Sequence, residues 1–168
     1  MFLRKLSRCR RFSWSIRLTL NQPNKVKQIK IVESDGGLQQ AGIQDTKNCT
    51  IRALSISAGI SYKQADKIGT LAGRERNKGF YSERLMKEAT KHGITSTRKV
   101  FIPKISVKKF IEKYPKGRFM CVRRGHCFSI IDGVIYDNVI TTTRHLVNCC
   151  YEVESKRVDL IKNSFSKC

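Results

Sequence analysis

No apolar run in this 168-residue sequence comes near the roughly 20 residues that a membrane-spanning helix requires, so no membrane span is expected. Acidic residues are scarce: 13 Asp and Glu stand against 34 Lys and Arg, a formal net charge of +21. That imbalance gives the surface a strongly positive field, which favours anionic partners such as nucleic acid or an acidic protein face. There is no CxxC pair and no HExxH, and the three histidines, His92, His126 and His145, are scattered. A closed zinc site is therefore unsupported, and neither a metal nor a cofactor is expected. No secretory signal is visible, and the seven cysteines, Cys9, Cys49, Cys121, Cys127, Cys149, Cys150 and Cys168, are odd in number and irregular in spacing. A chain of this size does not need disulfide staples, so a reducing compartment with free thiols is expected. An RRM-type motif, zinc-finger spacing and a helix-turn-helix are also missing, which confines any nucleic-acid contact mostly to phosphate.

What is present suits one domain. An apolar fraction of 40% with 8% aromatics can fill a single core, against disorder throughout or a two-domain enzyme. Residues 1–35 read as a basic N-terminal arm or edge strand, with nine Lys and Arg before the first acid, Glu33, and an alternating stretch at 16–20. Such a stretch can lie on nucleic acid or an acidic protein surface, and mitochondrial import is the minority reading of the same composition. Residues 36–155 read as one α+β domain and 156–168 as a basic tail.

Within that domain, Ile51, Leu54 and Ala58 share a helical face that begins at or next to Cys49 and stops at Gly59. Ser61 caps a second helix through Ile68, a third spans Ser82 to His92, and Ser106 caps a short fourth helix ending at the Pro115-Lys116-Gly117 turn. The stretch 69–79 reads as a polar surface loop. From Arg118 the period changes to two. Strands are expected at 118–123, 125–131 and 134–138, with Asp132-Gly133 as a two-residue hairpin loop, and again near 150–153. Helices first and antiparallel strands afterwards make an α+β architecture with the helices packed on a C-terminal antiparallel sheet.

Cys49 is the cysteine placed at a helix start, where unpaired N–H groups and the helix dipole favour a thiolate. The hairpin supplies a partner. A two-residue loop pairs Ile131 with Val134, Phe128 with Asp137 and His126 with Val139, so His126 shares a face with Phe128 and lies diagonal to Asp137, while Asn138 points away. Each residue also has a plainer reading: Cys49 as an inert buried thiol, His126 as a core histidine, Asp137 as a strand-end acid. His92 reads as a charge at a helix C-terminus, His145 as part of a polar loop, and Cys121 and Cys127 as strand or core residues.

Two blocks, Asn48-Cys49-Thr50-Ile51-Arg52-Ala53-Leu54 with Ala58-Gly59-Ile60-Ser61-Tyr62, and Tyr114-Pro115-Lys116-Gly117-Arg118 with Gly125-His126 and Ile131 through Asp137, resemble small papain-like or C39-like cysteine peptidase proteins of bacteriophages. The resemblance covers roughly residues 40–140. It implies a papain-like fold and a thiol hydrolase acting on a protein or peptide substrate, with Cys49 as nucleophile, His126 as general base and Asp137 as orienting acid. It further implies Gln44, five residues upstream, and the Cys49 backbone N–H as oxyanion donors, with Asn48 and Asp45 as alternatives for the Gln44 place. A phage-encoded chain of this kind would work in the host cytoplasm or the virion. The alternative function is a catalytically silent papain-like scaffold serving as a basic nucleic-acid-associated or virion structural protein.

Overall fold

A computed structural model describes residues 28–138 and 141–154. The basic arm up to residue 27 with its stretch at 16–20, the pairing of His126 with Val139, and the tail at 156–168 lie outside the described residues. The elements run β1 (Ile31–Glu33), α1 (Leu38–Ala41), α2 (Cys49–Ala58), α3 (Tyr62–Leu71), α4 (Ser82–Lys91), β2 (Ser96–Ser106), α5 (Val107–Lys113), β3 (Arg118–Arg123), β4 (His126–Ile131), β5 (Val134–Asp137) and β6 (Leu146–Val153). The strands form one six-stranded sheet in the order β1-β5-β4-β3-β6-β2.

The sheet differs from the expected one in two ways. It is mixed, because β1 joins its edge parallel to β5, and it is not confined to the C-terminal half, because β1 precedes the helices and β2 lies between α4 and α5. Both strands occupy sheet edges among the described residues, β1 within the stretch 1–35 read as an arm or edge strand, and at an edge the apolar/polar alternation that marks a strand in sequence is weak. Strand β2 exposes Val100 and Ile102, carries Pro103, and slips register between Val100 and Ile105, all of which an edge position tolerates. The expected loop at 69–79 is shortened, because α3 continues to Leu71.

Alternation along the central strands divides the core. Met120 and Val122 of β3 face α2, α3 and α4, meeting Ile51, Leu54, Ala65, Leu85 and Ala89. Phe119 and Cys121, one residue out of phase, face α5 and pack on Phe110 and Val107 together with Phe128, Ile130 and Ile135. The sheet is thus apolar on both faces and covered on both, which makes an α+β domain of three layers. Phe110 meets Phe119 edge to face at 5.2 Å between centroids, a favoured aromatic geometry.

Helix α2 is buried along most of its length and runs parallel to β4. Its C-terminal carbonyls, those of Ile56 and Ser57, accept from the Arg118 guanidinium at 2.7 and 2.6 Å, so a cation on β3 meets the negative end of the helix. Midway, Ser129 Oγ on β4 donates to the Ala53 carbonyl at 2.9 Å. These contacts fix the helix along the sheet and thereby set where Cys49, its first residue, is held. The Asp132-Gly133 turn has positive φ at both positions, 48° and 78°, as a two-residue hairpin of this twist demands. It produces the register Ile131↔Val134, Ile130↔Ile135 and Ser129↔Tyr136. One residue further, Asp137 comes level with Phe128.

Candidate active site

Cys49 begins α2 with Asn48 in the N-cap position, and no side chain caps the helix. The free amides at this end are therefore available to negative charge. The Cys49 sulfur takes hydrogen bonds from the Cys127 thiol, the His126 ring and the Cys127 backbone N–H. Those bonds, led by the Cys127 thiol and joined by the positive charge of His126, outweigh the cost of burial and bring the Cys49 thiol down to about 3.

His126 opens β4 and stacks over Phe128, with centroids 6.4 Å apart and planes 11° from parallel. Its Nε2 donates to Asp137, 3.0 Å from Oδ1 and 2.9 Å from Oδ2. With Nε2 so engaged, Nδ1 is the nitrogen left for the Cys49 sulfur. Burial opposes the imidazolium more than any other single influence. The hydrogen bonds to Asp137 and Cys49 and their negative charges together exceed it and lift the ring to about 9. Between those two values the pair exists as thiolate and imidazolium.

The Asp137 carboxylate is only 2% exposed, against 11% for the His126 side chain. It also accepts from its neighbour's amide, Asn138 N–H, at 2.9 Å and from the Thr141 hydroxyl, which is fully buried. Among the described residues these donors bind the carboxylate and keep it aimed at the ring. Arg52, one turn after Cys49, is 6% exposed, and among the described residues its Nε and Nη1 have no hydrogen-bond partner. Burial pushes its guanidinium down, and the charges of Asp137 and Cys49 act against that. A buried cation thus sits within electrostatic reach of both anions of the site.

The loop that delivers Cys49 is held by a buried ionic network. Asp45 Oδ2 receives Arg74 Nη2 at 2.6 Å and the Tyr62 hydroxyl at 3.2 Å, and Asp45 Oδ1 receives the Asn77 amide at 3.0 Å. Arg74 reaches on to Asp66 and to the Lys47 carbonyl, and Arg76 closes on Asp66 at 2.9 Å. Asn48 is buried and spends its Nδ2 on the Asp45 carbonyl at 2.6 Å. Of the two alternatives for the Gln44 place, both side chains are therefore committed to the loop itself. Gln44 is exposed, five residues before Cys49.

Compared with known proteins, the chain matches no family model, no curated protein and no solved structure.

The structure thus brings Cys49, His126 and Asp137 into one chain of contacts and leaves Gln44 at the surface nearby. The other candidates lie elsewhere. His92 ends α4 beside Glu88 at 3.4 Å, and His145 accepts the Thr142 amide within the loop before β6. Cys121, Cys149 and Cys150 are buried free thiols on β3 and β6. Among the described residues no cluster suits a metal ion, and no helix is long and apolar enough to cross a membrane. Three participants were not read from the sequence as part of the site: Cys127, Thr141 and Arg52. For Cys127 a signal exists, since the residue after His126 points to the opposite face of β4, the one covered by α2. Thr141 and Arg52 carry no such signal, because their roles depend on how the loop after β5 returns and on which side of α2 is sealed.

Proposed function

We propose that the chain is a papain-like thiol hydrolase that cleaves amide or isopeptide bonds in a protein or peptide substrate. The observation that carries this reading is a half-buried thiol at a helix start, hydrogen-bonded to an imidazole whose far nitrogen lies 2.9 Å from a buried carboxylate. In the first step the Cys49 thiolate attacks the substrate carbonyl carbon, a C–S bond forms, and the carbonyl oxygen becomes an oxyanion. Donors for it are the Cys49 backbone N–H and the side chain of Gln44, as the resemblance implies. His126 gives its proton to the leaving amine as the C–N bond breaks. The neutral ring then takes a proton from water, which attacks the thioester and restores the thiolate. Asp137 keeps the ring oriented and stabilises its cation in each half-reaction. The net charge of +21 favours substrates that are acidic or held on nucleic acid.

The test is alkylation by iodoacetamide at mildly acidic pH, where ordinary thiols are protonated and slow, together with turnover of an acidic peptide pool. Wild type is expected to be labelled at Cys49 and to cleave peptide, and Cys49→Ala to do neither. Persistence of full labelling in Cys49→Ala overturns the assignment. The same charge favours a second reading, a silent scaffold on nucleic acid. In that case Cys49→Ala leaves the protein's behaviour intact while its affinity for duplex DNA falls steeply with salt.

A further inference from the structure

The hydrolytic mechanism uses Cys127 as a donor to Cys49 and leaves its own sulfur idle. Cys127 precedes Ser129 by two positions on the same face of β4, and Ser129 is pinned to Ala53 of α2 at 2.9 Å. From that anchor the strand runs back about 6.6 Å to Cys127, and the helix, lying parallel, runs back about 6 Å to Cys49. The two side chains therefore come together across the helix–strand interface, where Cys49 packs against the buried cluster that contains Cys127, and the Cys127 thiol faces Cys49 as a donor. Both are free thiols. Cys49 is half-buried and open to small reagents, whereas Cys127 is buried and unable to react with them directly.

We propose that Cys127 is the resolving partner of Cys49, so that a hydroperoxide closes a reversible Cys49–Cys127 disulfide that shuts the site. The inference rests on the reading of Cys49 as a reactive thiolate. In the first step the Cys49 sulfur attacks hydrogen peroxide: an S–O bond forms, the O–O bond breaks, and the departing hydroxide takes the His126 proton to leave as water. Cys49 is oxidised to a sulfenic acid and the peroxide is reduced. Loss of the Cys49 negative charge removes the main influence that raises the Cys127 thiol, the hydrogen bond to Cys49. In the second step the Cys127 sulfur attacks the sulfenic sulfur: an S–S bond forms, the S–O bond breaks, and the Cys127 proton leaves with the hydroxide as water. A dithiol reductant then attacks the more exposed Cys49 sulfur and restores both thiols. The arrangement protects the nucleophile, because a sulfenic acid captured by a neighbouring thiol is not carried on to the irreversible sulfinic acid.

The experiment treats the reduced full chain with hydrogen peroxide, with and without dimedone, and maps cysteine peptides by mass spectrometry. The expected result for wild type is a Cys49–Cys127 linked peptide, reversed by dithiothreitol. In Cys127→Ser and Cys127→Ala the expected result is dimedone labelling of Cys49 at least about tenfold above wild type, followed by sulfinic acid on longer exposure. Equal dimedone labelling of wild type and both variants, or linkage of Cys49 to a different cysteine, overturns the proposal. Iodoacetamide labelling of a separate aliquot never exposed to peroxide distinguishes the two readings. Labelling of Cys49 in that aliquot without linkage in the peroxide-treated one defeats this inference alone, whereas absence of labelling defeats the hydrolase reading and this inference with it.

Discussion

His126 meets Asp137 through Nε2, at 2.9 Å from Oδ2, and this one contact decides which face of the ring is left for the Cys49 sulfur. It arises from the hairpin register, which sets Asp137 diagonal to the first residue of β4. Replacing Asp137 by Asn keeps the shape and removes the charge that supports the imidazolium. Under the proposed function, Asp137→Asn is expected to lower kcat/KM by about 10- to 100-fold and to move the alkaline limb of the pH profile downward from about 9. Steady-state kinetics across pH on the peptide substrate measures both.

The thiolate–imidazolium pair fixes the pH dependence. Under the proposed function, Cys49 at about 3 makes activity expected only above that value, because protonation below it removes the thiolate. Under the same proposal, His126 at about 9 makes activity expected only below that value, because the neutral ring has no proton for the leaving amine. A broad bell in kcat/KM with limbs near those values is expected. In His126→Ala the Cys127 bonds remain but the imidazolium is gone, so iodoacetamide labelling at mildly acidic pH is expected to fall at least about tenfold.

Asp45 and Arg74 form an ion pair at 2.6 Å with side chains 0% and 1% exposed. Removing Asp45 leaves the buried Arg74 with only the longer 3.4 Å ion pair to Asp66, and removing Arg74 leaves the buried Asp45 with neutral donors alone, Tyr62 and the Asn77 amide. Asp45→Ala or Arg74→Ala is expected to cost about 3–5 kcal/mol, measured by urea unfolding. Because this pair organises the loop that leads into Cys49, the milder Asp45→Asn is expected to slow Cys49 alkylation even where the protein still folds.

Ser129 ties β4 to α2 through the Ala53 carbonyl. That carbonyl also accepts from Ser57 Oγ at 2.7 Å, so it is not orphaned when Ser129 is changed. Ser129→Ala is therefore expected to cost only about 0.5–1.5 kcal/mol by urea unfolding.

Ser61 heads α3 with a full capping box, its side chain accepting the Gln64 amide and Gln64 returning to the Ser61 amide at 2.9 Å. Ser61→Ala is expected to cost about 1 kcal/mol, read from the midpoint of thermal or urea unfolding, with Cys49 reactivity unchanged.

Local patterns were enough for the elements that act locally. The apolar spacing of Ile51, Leu54 and Ala58 with Gly59 marks α2, Ser61 and Ser106 mark helix starts, and Asp132-Gly133 marks a hairpin, because helix periodicity, caps and a two-residue turn each depend on a few adjacent residues. That turn in turn sets the relation of His126 to Asp137, since in an antiparallel pair the loop length fixes every opposing residue. Tertiary structure alone decided the rest. Strands β1 and β2 take their conformation from sheet edges, one of them by parallel pairing with β5, and neither carries a pattern strong enough to announce itself. Thr141 against Asp137, Arg52 sealed beside both anions, and Cys127 against Cys49 all come from packing between segments far apart in sequence. The sequence by itself singled out Cys49, His126 and Asp137 as a set, through one helix start and one hairpin register. How strongly charged that pair becomes was decided by burial and by donors that only the folded chain brings within reach.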